Sequence, residues 1–318
     1  MCLSLAACGD SGTTSTSTSG SGGATGSGGG TTSTGAAGGG GSGGGTTAVD
    51  PLEGIGQVEL IQGGFDFVEG PVWLATPGVL RFSDIPQNVV LELDPSTGDI
   101  SKWRSDSAGT NGNALAPNGD LVMCEQGGRR VARSVADVAT PVLVAGDYMG
   151  TKLNSPNDAI VRSDGTIFFT DPTYGLGGPS DIGFQGVYRV TLAGDVELVD
   201  DAHSQPNGIA LSPDESKLYV SDSDLGGLFV YEVATDGTTG PATELVEAAP
   251  GDGMAIDDAG NIYLSTADGV TVYAPDGSLW GTIAVPEQPA NCAFGGADRK
   301  TLYITARNGL YSVTMSVA

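Results

Sequence analysis

The chain has 318 residues, 39% of them hydrophobic, 16% charged and 52 of them glycine. That is long enough for one large domain and turn-rich enough to point away from a helical bundle. The formal charge of −25, with only Asp10 before Asp50, excludes nucleic acid as a partner and gives the folded part a strongly acidic surface.

Residues 1–8 end in Leu5-Ala6-Ala7-Cys8, the pattern of a lipobox, in which small residues precede a cysteine to be acylated. The segment before Cys8 is shorter than a signal peptide, so the translation start is expected upstream. Residues 9–50 are almost entirely Gly, Ser, Thr and Ala, and such a segment cannot bury a core. A disordered tether is expected there; over residues 9–47 it reaches roughly 35 Å from end to end. The expected location is therefore the bacterial cell envelope, periplasmic or cell-surface, with membrane contact only through the lipid anchor. No apolar stretch is long enough to span a bilayer.

Residues 51–318 carry a repeat. Short apolar, β-branched or aromatic runs recur with Leu80, Leu121, Ile167, Leu218, Ile262 and Leu302 in a common phase, at spacings of 41, 46, 51, 44 and 40 residues. A period of 40–50 residues with several strands per repeat is that of a propeller blade. In the third repeat four strands are predicted, at 159–161, 167–170, 187–190 and 196–199, with Asp164-Gly165 turning the first hairpin. The last repeat ends after three strands, and Val58-Glu59-Leu60-Ile61 is expected to supply the fourth. The fold class expected is all-β, a six-bladed β-propeller, monomeric or weakly dimeric.

Ten or eleven residues before each marker stands an oxygen-bearing side chain: Glu69, Asn111, Asn157, Asn207, Asp252 and Asn291. Each opens the first, innermost strand of its blade, so the six converge on the axis. Asn, Asp and Gly also make turns, but turn-making explains neither the common phase nor Glu69. Carboxylates and amide oxygens are hard ligands, which suit Ca²⁺, Mg²⁺ or Mn²⁺ better than a soft metal. A single histidine, His203, leaves no room for a three-His zinc site. His203 is expected to be exposed in a loop. Cys124 and Cys292 lie in apolar strand patterns and are expected to be buried thiols.

Glu69-Gly70-Pro71-Val72-Trp73, Ser155-Pro156-Asn157-Asp158, Asp171-Pro172-Thr173-Tyr174-Gly175-Leu176, Pro206-Asn207-Gly208, Asp252-Gly253-Met254 and Asn291-Cys292-Ala293-Phe294-Gly295-Gly296 resemble the SMP-30/gluconolactonase/luciferin-regenerating family, its bacterial gluconolactonase branch above all. The resemblance runs from about residue 57 to 315. It implies one divalent metal ion, Ca²⁺ first and Mg²⁺, Mn²⁺ or Zn²⁺ as alternatives, held by Glu69, Asn207 and Asp252. Asn157 would be a fourth ligand or would hold the substrate, and Asp252 would be the catalytic base. Asn111, Glu125 and Tyr174 are further candidates for substrate contact, and Arg129 and Arg130 lie nearby in the sequence. The substrate implied is a small-molecule sugar lactone. Two departures concern the sugar contacts: Ser155 stands where animal members have Arg, and Gln126 where bacterial members commonly have His. Other readings of the same residues are a hydrolase of another lactone or an organophosphate, a metal that only plugs the channel, and a non-enzymatic binding module of the envelope.

Overall fold

In a computed structural model, residues 49–135, 138–247 and 250–318 are described; the leader and nearly all of the tether, with Cys2 and Cys8, lie outside them. The described residues form strands and turns with no helix. The chain begins with β1 (Glu59–Gly63) and continues into blade 1, which is β2 (Val68–Leu74), β3 (Val79–Asp84), β4 (Val89–Asp94) and β5 (Asp99–Ser105). Blade 2 is β6 (Thr110–Leu115), β7 (Leu121–Glu125), β8 (Arg130–Ser134) and β9 (Pro141–Ala145). A small hairpin, β10 (Asp147–Tyr148) with β11 (Thr151–Lys152), leads to blade 3: β12 (Ala159–Val161), β13 (Ile167–Asp171), β14 (Gly186–Val190) and β15 (Val196–Asp200). Blade 4 is β16 (Pro206–Leu211), β17 (Lys217–Asp222), β18 (Gly227–Glu232) and β19 (Thr243–Val246). Blade 5 is β20 (Met254–Ile256), β21 (Ile262–Thr266), β22 (Gly269–Tyr273) and β23 (Leu279–Ile283). Blade 6 is β24 (Pro289–Gly295), β25 (Thr301–Ala306) and β26 (Gly309–Thr314).

Every blade is an antiparallel meander, and β1 pairs with β26 as the fourth strand of blade 6, with Leu60 opposite Tyr311. The expected closure is thus realised, and β26 has no free edge. The innermost strands β2, β6, β12, β16, β20 and β24 touch in sequence, and β24 returns to β2.

The core consists of wedges between blades. Along β13, Phe168 packs towards blade 4 with Ile209, Leu218 and Val220, while its neighbour Phe169 packs towards blade 2 with Val122, Cys124 and Val131. Successive side chains of a strand point to opposite faces, and here both faces are covered. That is why the second strand of most blades reads as an apolar run, with the buried Arg81 interrupting the one in blade 1. At the closure, Trp73 of blade 1 stacks on Tyr303 of blade 6 with ring centroids 5.8 Å apart. Cys124 and Cys292 are free and buried, as expected, and a bond between them does not form.

Candidate active site

Glycines next to the axial residues let the inner strands approach the axis closely. A Cβ on Gly253, beside Asp252, would lie 2.0 Å from Cγ of Asn291, and one on Gly208, beside Asn207, would lie 2.4 Å from the Asp252 carbonyl. Only glycine permits that approach. Hydroxyls of the second strands then fix the axial backbone of the next blade. Ser83 Oγ donates to the Asn111 carbonyl at 2.7 Å, Thr170 Oγ1 to that of Asn207 at 2.6 Å, and Ser221 Oγ to that of Asp252 at 2.8 Å. The residues that end those strands hold the incoming loops. Asp171 accepts from the N–H groups of Asn154 and Ser155, and Asp222 from those of Ser204 and Gln205. In this way β13 and β17 aim Asn157 and Asn207 at the axis.

Glu69, Asn111, Asn157, Asn207, Asp252 and Tyr174 line one cavity of about 570 Å³. Glu69, Asn111, Asn157 and Asn207 are buried, whereas Asp252 is partly exposed and Tyr174 half exposed. The sixth axial residue, Asn291, does not line this cavity, although its amide hydrogen-bonds Glu69. Its Nδ2 donates to Asp158 across the channel at 3.3 Å, and its Oδ1 accepts from the Cys292 N–H. Asn291 and Asp158 belong to a second cavity of about 430 Å³ that also includes Asn113 and Trp73.

The acids on the axis are not neutralised by direct ion pairs. Desolvation raises the Glu69 carboxyl well above the usual carboxylate range, and the nearby charge of Asp252 adds to this. Asp252 is raised to about 7, first by desolvation and then by Asp158, against the hydrogen bond from Asn207 and the attraction of Arg307. Asp158 is raised to about 6 by desolvation, against hydrogen bonds from Ala159 and Asn291. Mutual repulsion of this kind is what a bound cation removes. Among the described residues no three His, Cys, Asp or Glu side chains are grouped to hold an ion by themselves. Amide oxygens of Asn157 and Asn207 would have to complete a cage around Glu69 and Asp252, and that all-oxygen set fits a hard divalent cation.

Several sequence-based candidates lie elsewhere. Glu125 is fully buried but is not among the cavity residues; it sits between Arg104, at 2.8 Å, and Arg130. Its carboxylate balances two guanidinium groups and is not presented to a substrate. Arg129 bonds the carbonyls of Leu153 and Asn154 and pairs with Asp181 at 2.7 Å. His203 is buried rather than exposed, with Nδ1 3.3 Å from Asp222 and Nε2 2.7 Å from the Tyr231 hydroxyl.

The cavity also contains residues that the sequence pattern did not single out. Gln126 lines it, with its Oε1 3.4 Å from the Asn111 amide, so the departure at this position falls in the site itself. Phe67, Ile85, Pro86 and Pro250 add apolar wall, and Ser223 and Arg307 add polar groups. Tyr174 hydrogen-bonds Ser223 and Asn207. The phase of the repeat carried no signal for these, since most lie in the turns between strands.

A propeller with an acidic, amide-rich axial pocket defines the class of protein. Residues 67–308 match the SMP-30/Gluconolactonase/LRE-like region, and the chain belongs to that family. It is 34% identical over 287 residues to a gluconolactonase of Zymomonas mobilis, covering 80% of each chain. It is 30% identical over 259 residues to a pentonolactonase of Haloferax volcanii, covering 76% of this chain and 81% of that one. Among solved structures it is similar to a gluconolactonase from Xanthomonas campestris, at a TM-score of 0.77 and 33% identity, covering 84% of this chain and 91% of that one.

Proposed function

We propose that this chain hydrolyses a sugar lactone with the help of one divalent cation. The observation that carries this reading is the meeting of Glu69, Asn157, Asn207 and Asp252 in one cavity, in a chain whose relatives are named as lactonases.

Glu69, Asn157, Asn207 and Asp252 would hold the ion, with Ca²⁺ the best suited to so many oxygen donors. When bound, such an ion polarises an ester carbonyl and acidifies water. Asp252 is the base: partly exposed in the cavity, it takes a proton from the attacking water. Water oxygen bonds to the carbonyl carbon, the ring C–O bond breaks, and the ring oxygen leaves as a hydroxyl after receiving that proton. Asn111, Gln126 and Tyr174 offer hydrogen bonds to sugar hydroxyls, while Phe67, Ile85 and Pro250 exclude bulk water.

The test is hydrolysis of glucono-δ-lactone with Ca²⁺ and after chelation, in the native chain and in Asp252→Asn. Loss of a general base lowers the rate about 10²- to 10⁴-fold, and the fold should persist by circular dichroism. Full activity in Asp252→Asn would remove the assignment of the base. We further infer an envelope location through acylation of Cys8; incorporation of labelled palmitate that Cys8→Ala abolishes supports it, and equal labelling of the variant refutes it.

A further inference from the structure

The arginines single out one position. Eight of the nine pair with a carboxylate, as Arg81 does with Glu92, Arg104 and Arg130 with Glu125, and Arg189 with Glu197. Arg307 alone has no such partner among the described residues, and it is also the only cationic side chain of the axial cavity. Arg307 is exposed to solvent at the cavity, and in a chain of −25 net charge a guanidinium without a carboxylate partner beside the proposed reaction centre offers an anionic ligand group a place to bind.

Arg307 is held ready. It turns the β25–β26 hairpin in the left-handed region, at φ 46°. For a residue that is neither Gly nor Asn this conformation costs on the order of 1 kcal/mol and persists where neighbours enforce it. They do so here: the Arg307 carbonyl accepts from Val68 N–H at 2.9 Å, and Asn308 Nδ2 donates to the carbonyls of Phe65 and Asp66. The guanidinium lies 5.5 Å from the centre of the Phe67 ring and donates to Gln288 Oε1. Glu287, an acid beside the hairpin, is taken up by the Asn308 N–H and the Tyr311 hydroxyl. Asp252 acts on Arg307 through space, without direct contact. A guanidinium has five N–H donors in a planar fork. One serves Gln288, and the others are available to a pair of ligand oxygens.

We propose that Arg307 is an anion subsite, and that the preferred lactone carries a carboxylate, sulfonate or phosphate at the end remote from the reacting carbonyl. The proposal rests on the lactonase reading. Such a ligand keeps its anionic end away from Glu69 and Asp252 and pairs it with the one cation in the cavity. Arg307 here is a specificity-determining residue, acting on binding more than on bond cleavage.

The experiment compares kcat/KM for glucono-δ-lactone with that for its 6-phosphate, its 6-sulfonate and glucuronolactone, in the native chain, Arg307→Gln and Arg307→Lys. At least one acidic lactone should be preferred by the native chain. The acidic-to-neutral ratio should fall about 10- to 100-fold in Arg307→Gln, as expected for losing a charge-assisted hydrogen bond, and mainly through KM. Arg307→Lys should recover part of it, a point charge replacing a fork. A ratio unmoved by Arg307→Gln, or native preference for the neutral lactone, overturns the proposal. If no lactone is turned over, the lactonase reading fails separately. Calorimetric titration with 6-phosphogluconate then decides: binding lost in Arg307→Gln supports the subsite, and equal or absent binding in the native chain refutes it.

Discussion

Glu125 and Gln126 are neighbours in sequence with opposite surroundings. Glu125 is enclosed between Arg104, which comes from the outer strand of blade 1, and Arg130. Gln126 reaches the axial cavity. Breaking a buried ion pair by removing one member leaves the other charge uncompensated, which costs about 3–5 kcal/mol. Glu125→Ala should therefore lower the denaturant midpoint strongly while leaving KM for lactone nearly unchanged. A KM effect without a stability loss would instead return Glu125 to the substrate site. The pairing was not legible in the sequence, because Arg104 lies in another blade and nothing at its position marks an inward-facing charge. The burial of His203 was hidden for the same reason: its partners Asp222 and Tyr231 are brought to it only by the meander of blade 4. The axial ring, by contrast, was legible, since one position in each repeat shares a phase and the fold converts phase into convergence. Asn291 is the exception, its amide shared between Glu69 and Asp158, which adjoins Asn157 and was hidden behind it.

At the scale of the strand and the loop, positioning is done by short side chains at the ends of the second strands. Asp171 and Asp222 do the same work in different electrostatic states. Desolvation raises Asp171 to about 7 despite two backbone N–H bonds. Desolvation also opposes ionisation of Asp222, but His203 and the N–H groups of Leu225, Asp224 and Ser204 outweigh it and hold that carboxyl well below the usual range. The hydroxyl latches are a cleaner target. Thr170→Val keeps the shape of β13 and removes the bond to the Asn207 carbonyl together with the one Thr170 Oγ1 accepts from the Asp158 N–H. The expected loss is about 1–3 kcal/mol of stability, the usual net worth of two such bonds. Calcium affinity should weaken as Asn207 loosens, readable by calorimetric titration; unchanged affinity would show that the latch does not position it. The blade strands themselves were readable from sequence because both faces of each second strand are buried, which leaves an apolar run bounded by turn residues. The β10–β11 hairpin was not, being two residues on each side.

For the molecule as a whole, ring closure and axial charge each dictate a measurable property. β1 is the outer strand of blade 6, so a chain beginning at residue 49 should fold normally, whereas one beginning at residue 64 exposes the edge of β26. The shorter chain should unfold at lower temperature or aggregate; equal melting curves would mean that closure by β1 adds nothing. The axial acids give a pH dependence with a definite sign. Asp158 and Asp252 are raised to about 6 and about 7, so between the unfolded carboxylate range and those values the native state binds more protons than the unfolded one. The stability they contribute is therefore present at low pH and is lost as pH rises through 6 and 7. A cation held by the axial acids would take over the role of those protons. The measurement that tests the account most directly is thermal melting across pH 5 to 8, with and without Ca²⁺, in the native chain and in Glu69→Gln. Calcium should raise the melting temperature of the native chain increasingly towards pH 8 and raise that of Glu69→Gln far less. Equal shifts in the two proteins, or no shift at any pH, would contradict a cation held at the axis.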